Sequence, residues 1–185
     1  IVRYNEGTGE QIKWVNTEGS PLRLVFDKEN NLLIADAYKG LLKVTPSGEL
    51  SVLTRTVNGT DIDYADDLDI TADGKIYFSD ASTKFGAHMG GTYAASLLDT
   101  MEHGGHGRLL VYDPIDESTK ILMDGLNFAN GVAADANSEF ILVNETGGYR
   151  IHKYWLKGPK TGQSDVLIDN LPGFPDNIVR GRDGR

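Results

Sequence analysis

The chain has no cysteine, few prolines and no long apolar run. Among its 185 residues are six prolines, and 9% of the side chains are aromatic. Without cysteine the chain forms no disulfide, holds no metal through thiolates and has no cysteine nucleophile. No apolar run approaches the roughly 20 residues that a membrane-spanning helix needs, and no signal peptide is recognisable. We expect a soluble protein of unknown compartment with no membrane segment in this chain, whose truncated start leaves room for a lost targeting segment.

Positive charge is also scarce. Lysine and arginine together number 18 against 27 aspartates and glutamates, which gives a net charge of -9. Proteins that bind nucleic acids neutralise phosphates with clustered lysine and arginine. We therefore expect no nucleic-acid partner. An acidic surface instead attracts cations or aids solubility.

What the chain does contain is an internal repeat. Residues 21–36, 65–80 and 129–144 align without gaps, and a fourth copy begins at Pro175. The alignment closes the three complete copies at Asp36, Asp80 and Asn144. Periods in the forties with strand-like patterning are typical of propeller blades. The second positions of the four copies, separated by 44, 64 and 46 residues, are Leu22, Asp66, Asn130 and Asp176.

Each copy is predicted to form four short strands joined by turns. The predicted fold is therefore all-β, a β-propeller, of which the chain covers about three and a half to four blades. Since propellers usually close with about four to eight blades, we expect a piece of a larger ring; alternatively, two copies associate through their open blade edges. The predicted units are 1–19 (end of a preceding blade), 20–63, 64–127 and 128–172 (blades), and 173–185 (start of the next blade).

The longest unit carries an insertion at residues 84–107. Its composition predicts a helix over Thr92–Glu102, with apolar residues at helical spacing that we expect to pack against the blades. Long loops over a channel often act as lids. His103, beside the helix, is a candidate catalytic proton shuttle, and its spacing from His106 also fits a metal pair. The alternative is that these are solvated loop histidines.

The repeated second position predicts a metal site. First strands line the central channel of a propeller, so equivalent residues converge on one ring. The oxygen ligands of Asp66, Asn130 and Asp176, with Asn177 beside them, suit calcium or another hard divalent cation. Asp67 is a candidate general base that takes a proton from water. The alternative is that these residues are turn formers and that Asp67 is structural.

Several motifs resemble one known group of propellers. They are Leu171-Pro-Gly-Phe-Pro-Asp-Asn-Ile178, Leu126-Asn-Phe-Ala-Asn-Gly-Val132 and Ile76-Tyr-Phe-Ser-Asp80. Together they resemble the strictosidine synthase-like proteins, which include the adipocyte plasma membrane-associated protein group and are related to the gluconolactonase (senescence marker protein) and paraoxonase families. The resemblance spans essentially the whole chain and implies a six-bladed propeller in the full-length family.

The resemblance also implies a catalytic divalent cation, usually calcium. Family lactonases hold it through an early-blade glutamate, an asparagine in an Asn-Gly motif and an aspartate in a Pro-Asp motif. Asn130 and Asp176 match the last two, and Asp66 with Asp67 takes the place of an Asn-Asp pair. The glutamate would precede residue 1, so this chain alone is expected to be incomplete.

Three functions follow as expectations. The first is divalent-metal-dependent hydrolysis of small esters or lactones, in which the cation polarises the carbonyl. The second is a strictosidine synthase-type condensation of an amine with an aldehyde, whose glutamate the resemblance puts beyond Arg185. The third is a non-catalytic binding propeller with a structural ion.

Overall fold

The computed structural model describes residues 1–181, and almost all of its regular structure is β-strand. The chain begins with an antiparallel hairpin that contacts the following sheet through Ile1, Trp14 and Val15. The hairpin consists of strands β1 (Val2–Tyr4) and β2 (Gln11–Lys13).

The first four-stranded sheet follows, with its strands hydrogen-bonded in chain order. Asp27 and Asn31 close the first turn, because the Asp27 carboxylate accepts bonds from the backbone and side chain of Asn31. A short hairpin then leads to the next sheet. These elements are β3 (Pro21–Phe26), β4 (Leu32–Asp36), β5 (Gly40–Val44), β6 (Leu50–Thr54), β7 (Thr56–Val57) and β8 (Thr60–Asp61).

The second and third four-stranded sheets repeat this order, and the only helix within residues 1–181 lies between the second and third strands of the second sheet. This helix is not long and apolar enough to cross a membrane. The elements are β9 (Ala65–Ile70), β10 (Ile76–Asp80), α1 (Thr92–Glu102), β11 (Gly107–Asp113), β12 (Ser118–Leu126), β13 (Ala129–Ala134), β14 (Phe140–Glu145), β15 (Arg150–Trp155) and β16 (Ser164–Ile168).

The first strands of the three sheets are neighbours. Arg23 on β3 pairs with Asp67 on β9 at 3.0 Å, and Asp67 in turn accepts a 3.0 Å bond from the Val132 amide on β13. Consecutive antiparallel sheets whose first strands adjoin are the arrangement of propeller blades. The predicted β-propeller fold is confirmed, and we call the three sheets the first, second and third blades.

Apolar layers fill the spaces between blades. Leu33 and Leu41 of the first blade contact Leu68, Phe78 and the rest of one cluster on the second. A second cluster joins Tyr77 and Leu109 of the second blade to Val132, Ile141 and Val143 of the third. Because both faces of these strands are buried, the alternation of apolar and polar residues is weak there, and whole strands such as β4 and β10 are buried along their length.

A buried carboxylate closes the end of each second strand. Asp36 accepts a bond from the Ser20 amide and Asp80 from the Tyr64 amide, each just before a first strand. In the third blade the strand register pairs Ala129 with Glu145, whose carboxylate accepts the Asn127 amide. The closing residue is therefore Glu145, and the ungapped alignment that ended the copy at Asn144 was wrong by one residue. The glutamate side chain, which is longer than that of aspartate, reaches the Asn127 amide from residue 145.

Helix α1 forms at the predicted residues, but the face that packs against the blades is not the predicted apolar face. The prediction that its apolar face packs against the blades is wrong. Ala95 and Asp99 face the blades, where Asp99 accepts a hydrogen bond from the Ser82 hydroxyl. Small and polar contacts thus hold the helix, and the large apolar side chains that remain exposed are Tyr93, Leu97, Leu98 and Met101.

Candidate metal and active site

The three first strands share a β-bulge at the same end. Between its paired residues, each first strand carries one residue more than the second strand beside it. Such bulges re-aim side chains away from the regular strand alternation. The residues in the bulged segments are Leu22 on β3, Asp66 and Asp67 on β9, and Asn130 and Gly131 on β13, so the repeated second position coincides with the bulge in all three blades.

Asp66 is half-buried beside other carboxylates. Burial, the charge of Asp176 and the charge of Asp67 together raise the pKa of the Asp66 carboxyl to about 8. A carboxyl group in this environment carries a proton at neutral pH unless a positive charge offsets the repulsion. The effect of Asp176 also means that these two predicted ligands lie within electrostatic reach of one another.

Asn130 presents a buried oxygen that has no partner. Its side chain is 5% exposed, and its Oδ1 accepts no hydrogen bond from any residue in the range 1–181. Leaving a buried acceptor unpaired costs about 1–3 kcal/mol. An amide oxygen in this condition is suited to bind a cation, and it lies one residue before Gly131, which contacts Asp176.

The segment that carries Asp176 and Asn177 lies against the third blade. The Asp176 carbonyl accepts bonds from the Gly131 amide, at 3.1 Å, and from the Asn144 side-chain amide. The Thr146 hydroxyl donates to the Pro175 carbonyl at 2.8 Å. These contacts fix the backbone while the side chains of Asp176 and Asn177 remain exposed.

Gly131 makes this close approach possible. A Cβ atom at this position would lie 2.4 Å from the Asp176 carbonyl oxygen and 2.6 Å from the Ile178 amide nitrogen. Real Cβ atoms do not approach backbone atoms so closely, so another side chain here would push the Asp176 segment away.

Asp67 lies between three strands, with a side chain that is 1% exposed. Its carboxylate receives Arg23 of β3, the Val132 amide of β13 and the Leu68 amide of its own strand. Burial raises the pKa of the Asp67 carboxyl, and the Val132 amide and the Arg23 guanidinium oppose that rise. These contacts favour a structural role for Asp67 over the predicted role of general base, which stays a prediction.

His103 lies at the C-terminal end of α1. It adopts the left-handed conformation there and its amide donates to the Asp99 carbonyl at 3.0 Å, while its side chain is exposed. Within residues 1–181 no hydrogen bond or ion pair joins that side chain to another predicted site residue. The neighbouring His106 instead contacts Glu102 at 3.3 Å. The structure therefore does not bring His103 into the group formed by Asp66 and Asp176.

Two residues of the site were missed by the sequence analysis. Tyr64 is buried, donates its hydroxyl to the Thr92 carbonyl of α1 at 2.9 Å, and packs edge-on against Phe128. Burial, followed by the charge of Asp66, raises the pKa of the Tyr64 hydroxyl. Asn144 was not predicted as a site residue, although its Oδ1 is a second buried oxygen without a partner within residues 1–181. Tyr64 lies two residues before Asp66, and Asn144 lies opposite the bulged segment that contains Asn130. These positions were the signal from which both residues could have been found.

The donor set is therefore mixed. In the described part of the chain no three aspartate, glutamate, histidine or cysteine side chains are grouped so that they alone could hold a metal ion. The predicted set differs because Asn130 and Asn177 would contribute amide oxygens, a donor type that calcium accepts. The Asn130 oxygen has no partner, and the pKa of the Asp66 carboxyl is raised. Both observations fit a cation at this position.

A sequence profile described as strictosidine synthase matches residues 66–159, which is slightly more than half of the chain. The chain belongs to the strictosidine synthase family. It is 42% identical over 180 residues to Protein STRICTOSIDINE SYNTHASE-LIKE 13 of Arabidopsis thaliana, covering 96% of this chain and 43% of that protein. It is 40% identical over 167 residues to the adipocyte plasma membrane-associated protein of Gallus gallus, covering 88% and 39%. This family member thus spans less than half the length of these relatives.

Solved structures share the fold of this family member at low sequence identity. One is a gluconolactonase from Xanthomonas campestris, with a TM-score of 0.68 and 19% identity over 87% of this chain and 52% of that one. Another is a calcium-binding protein, regucalcin, from Agrobacterium tumefaciens, with a TM-score of 0.66 and 15% identity over 99% and 57%. These likenesses support the propeller fold.

Proposed function

We propose that the chain contributes a divalent-cation site, made by Asp66, Asn130, Asp176 and Asn177, to a hydrolase of small esters or lactones. The observation that carries the proposal is the buried, unpartnered Asn130 oxygen, together with the pKa of the Asp66 carboxyl on the neighbouring first strand, which burial and the charge of Asp176 raise. Oxygen donors without thiolate or clustered imidazole suit calcium. The gluconolactonase and the calcium-binding regucalcin among the structural neighbours support the same chemistry.

The residues of the chain would hold and orient the site. When bound, a calcium ion would polarise the carbonyl of an ester or lactone and stabilise developing negative charge on its oxygen. Asn144 and Thr146 fix the backbone of Pro175 and Asp176, and Asp67 fixes β9 against β3 and β13. Tyr64 links the Asp66 strand to α1, which covers part of the same end of the blades.

The first test is calcium titration by calorimetry on the chain and on Asn130→Ala. Asn137→Ala is the matched control, because Asn137 lies on the same blade but is exposed in the β13–β14 turn. The proposal expects calcium binding that is lost in Asn130→Ala and kept in Asn137→Ala. Equal calcium binding by both variants, or no calcium binding by an intact, folded propeller, would reject the cation site.

The second test is turnover of an ester and lactone panel with and without chelator, on this chain and on a longer relative of the same family. Chelator-sensitive turnover supports the hydrolase. Turnover of an amine and an aldehyde that ignores chelator would favour the strictosidine synthase-type condensation. A chelator that lowers the melting temperature in the absence of any turnover would favour a structural ion.

A further inference from the structure

Two asparagine–glycine pairs of the chain lie in opposite surroundings. Asn58 and Gly59 form an exposed turn between β7 and β8, whereas Asn130 and Gly131 lie in the buried bulge of β13. A pair of this kind is reactive, because glycine has no Cβ that would keep its amide nitrogen away from the side-chain amide of the preceding asparagine. The same chemistry is therefore present in an exposed and in a buried environment.

The turn at Asn58 leaves the reacting groups accessible. Val57 pairs with Thr60, so Asn58 and Gly59 form the whole loop. Their φ angles of 51° and 77° match the type I′ turn that this pair of residues favours. Apart from its chain neighbours, no residue comes within 4 Å of a Cβ at Gly59. An isolated two-stranded ladder is marginally stable, so this short hairpin opens locally at little cost and gives the Gly59 nitrogen access to the Asn58 side chain.

At Asn130 the fold opposes the same reaction. The Gly131 amide, which would have to attack, donates to the Asp176 carbonyl at 3.1 Å. Backbone atoms of Asp176 and Ile178 and the side-chain amide of Asn144 lie within 2.8 Å of where a Cβ of Gly131 would be. Asn130 itself is 5% exposed. Its reaction therefore requires the blade to open, which costs far more than opening the β7–β8 turn.

We infer that Asn58 is a site of spontaneous deamidation in the folded chain. The Gly59 amide nitrogen loses its proton to solvent and bonds to Cγ of Asn58, while the bond from Cγ to the side-chain nitrogen breaks. That nitrogen takes up a proton from solvent and leaves as ammonia. Water then opens the resulting succinimide. Cleavage of the new bond to Cγ gives aspartate, and cleavage of the original peptide bond gives isoaspartate, in which the main chain runs through the former side chain.

Isoaspartate at this turn would weaken the contact between the first and second blades. It lengthens the backbone of a two-residue turn, so the pairing of Val57 with Thr60 no longer fits. Val57 and Ile62, on either side of the hairpin, are 3% exposed and belong to the apolar cluster between those blades. The Asp61 carbonyl of β8 accepts a bond from the Arg108 guanidinium at 2.9 Å. The modification thus acts on a buried interface that is separate from the proposed cation site.

The test follows both asparagines in one sample of the folded chain, purified from a bacterial host. The chain is kept at mildly alkaline pH in water enriched in oxygen-18, which labels each new carboxylate, and its peptides are mapped by mass spectrometry. We expect the peptide with Asn58 to convert at least roughly tenfold faster than the peptide with Asn130, because local opening controls access. In urea, which unfolds the chain and protects neither residue, the two peptides should convert at similar rates.

Asn137 is the matched control for exposure. It lies in the exposed β13–β14 turn but is followed by Ser138 instead of glycine, so it should convert more slowly than Asn58. The inference is overturned if Asn58 and Asn130 convert equally fast in the folded chain, if Asn137 converts as fast as Asn58, or if the Asn58 product contains no isoaspartate.

Thermal unfolding tests the effect on the blades. Asn58→Asp contains the aspartate product with an ordinary backbone, so it should melt close to the unmodified chain. The aged chain that contains isoaspartate should melt at a lower temperature than either. An aged chain that melts together with Asn58→Asp would overturn the link between this turn and the interface of the first two blades.

Discussion

The bulges on β3 and β9 lie at the same end of their blades and carry opposite chemistry. Each contains one extra residue opposite the second strand of its blade, and the residues after them, Arg23 and Asp67, contact each other. The extra residue is Leu22 on β3 and Asp66 on β9. The backbone of the repeat therefore determines where a side chain points, and the residue at that position determines whether an oxygen or an aliphatic group is presented there.

The largest expected effect comes from blocking the third bulge with Gly131→Ala. The added Cβ would lie 2.4 Å from the Asp176 carbonyl oxygen, so the Asp176 segment must move. We expect calcium affinity to fall by roughly 100-fold, as for other changes that displace metal ligands. Calorimetry measures it. Gly173→Ala is the control, because no heavy atom lies within 4 Å of a Cβ there. Unchanged affinity in Gly131→Ala would mean that the third bulge does not position Asp176.

Asp67→Asn should break the ion pair with Arg23 that joins the bulge of β9 to the bulge of β3. One carboxylate oxygen becomes an amide donor facing Arg23 or backbone amides, so bonds to a charged group are lost. We expect a loss of about 2 kcal/mol in the free energy of unfolding, measured with urea. Asp69→Asn should cost less, since half-buried Asp69 accepts the Ala134 amide at 2.8 Å but lies outside the bulge. Unchanged stability with lost turnover would instead restore Asp67 as general base.

Calcium affinity should depend on pH through the second bulge and not through the first, because Asp66 has an ionisable carboxyl group and Leu22 has none. The pKa of the Asp66 carboxyl is raised to about 8, so below that pH a cation must displace a proton. We expect calcium affinity to fall about tenfold per pH unit from about pH 8 to about pH 6 and to level off above. Asp66→Asn should remove this slope. A flat profile for the unmodified chain would contradict the prediction.

The smallest effect should come from making the first bulge resemble the second. Leu22→Asp adds a carboxylate beside Asp66, and extra ligand charge tightens calcium sites. We expect roughly threefold tighter calcium binding by calorimetry. Leu24→Asp is the matched control, because Leu24 lies on the same strand with 45% exposure but outside the bulge. Equal tightening in both variants would mean that net charge, and not the bulge position, is responsible.

The sequence predicted the propeller fold because each repeat carries its own turns and strand pattern. It also aligned Leu22, Asp66 and Asn130, since a bulge at a fixed place in each of these three copies does not disturb the alignment. Helix α1 was predicted from composition and glycine boundaries, which are local properties.

The errors and omissions came from contacts between distant residues. The shift of the closing residue to Glu145 depends on the register of β13 against β14. The orientation of α1 depends on Ser82 and Asp99, and the structural contacts of Asp67 depend on strands 44 and 65 residues away in the chain. The predicted roles of His103 and of the four cation ligands stay predictions.

The contact between Asn144 and Asp176 has a consequence for producing this protein. Residues Asn144, Glu145 and Thr146 form an N-glycosylation acceptor sequence. In the folded chain the Asn144 nitrogen is buried and donates to the Asp176 carbonyl, and Thr146 is bonded to Pro175. A sugar attached to that nitrogen during secretion would prevent the Asp176 segment from reaching Gly131. A host cell that glycosylates the nascent chain would therefore yield molecules unable to assemble the proposed cation site, whereas production in a bacterial cytoplasm would avoid this modification.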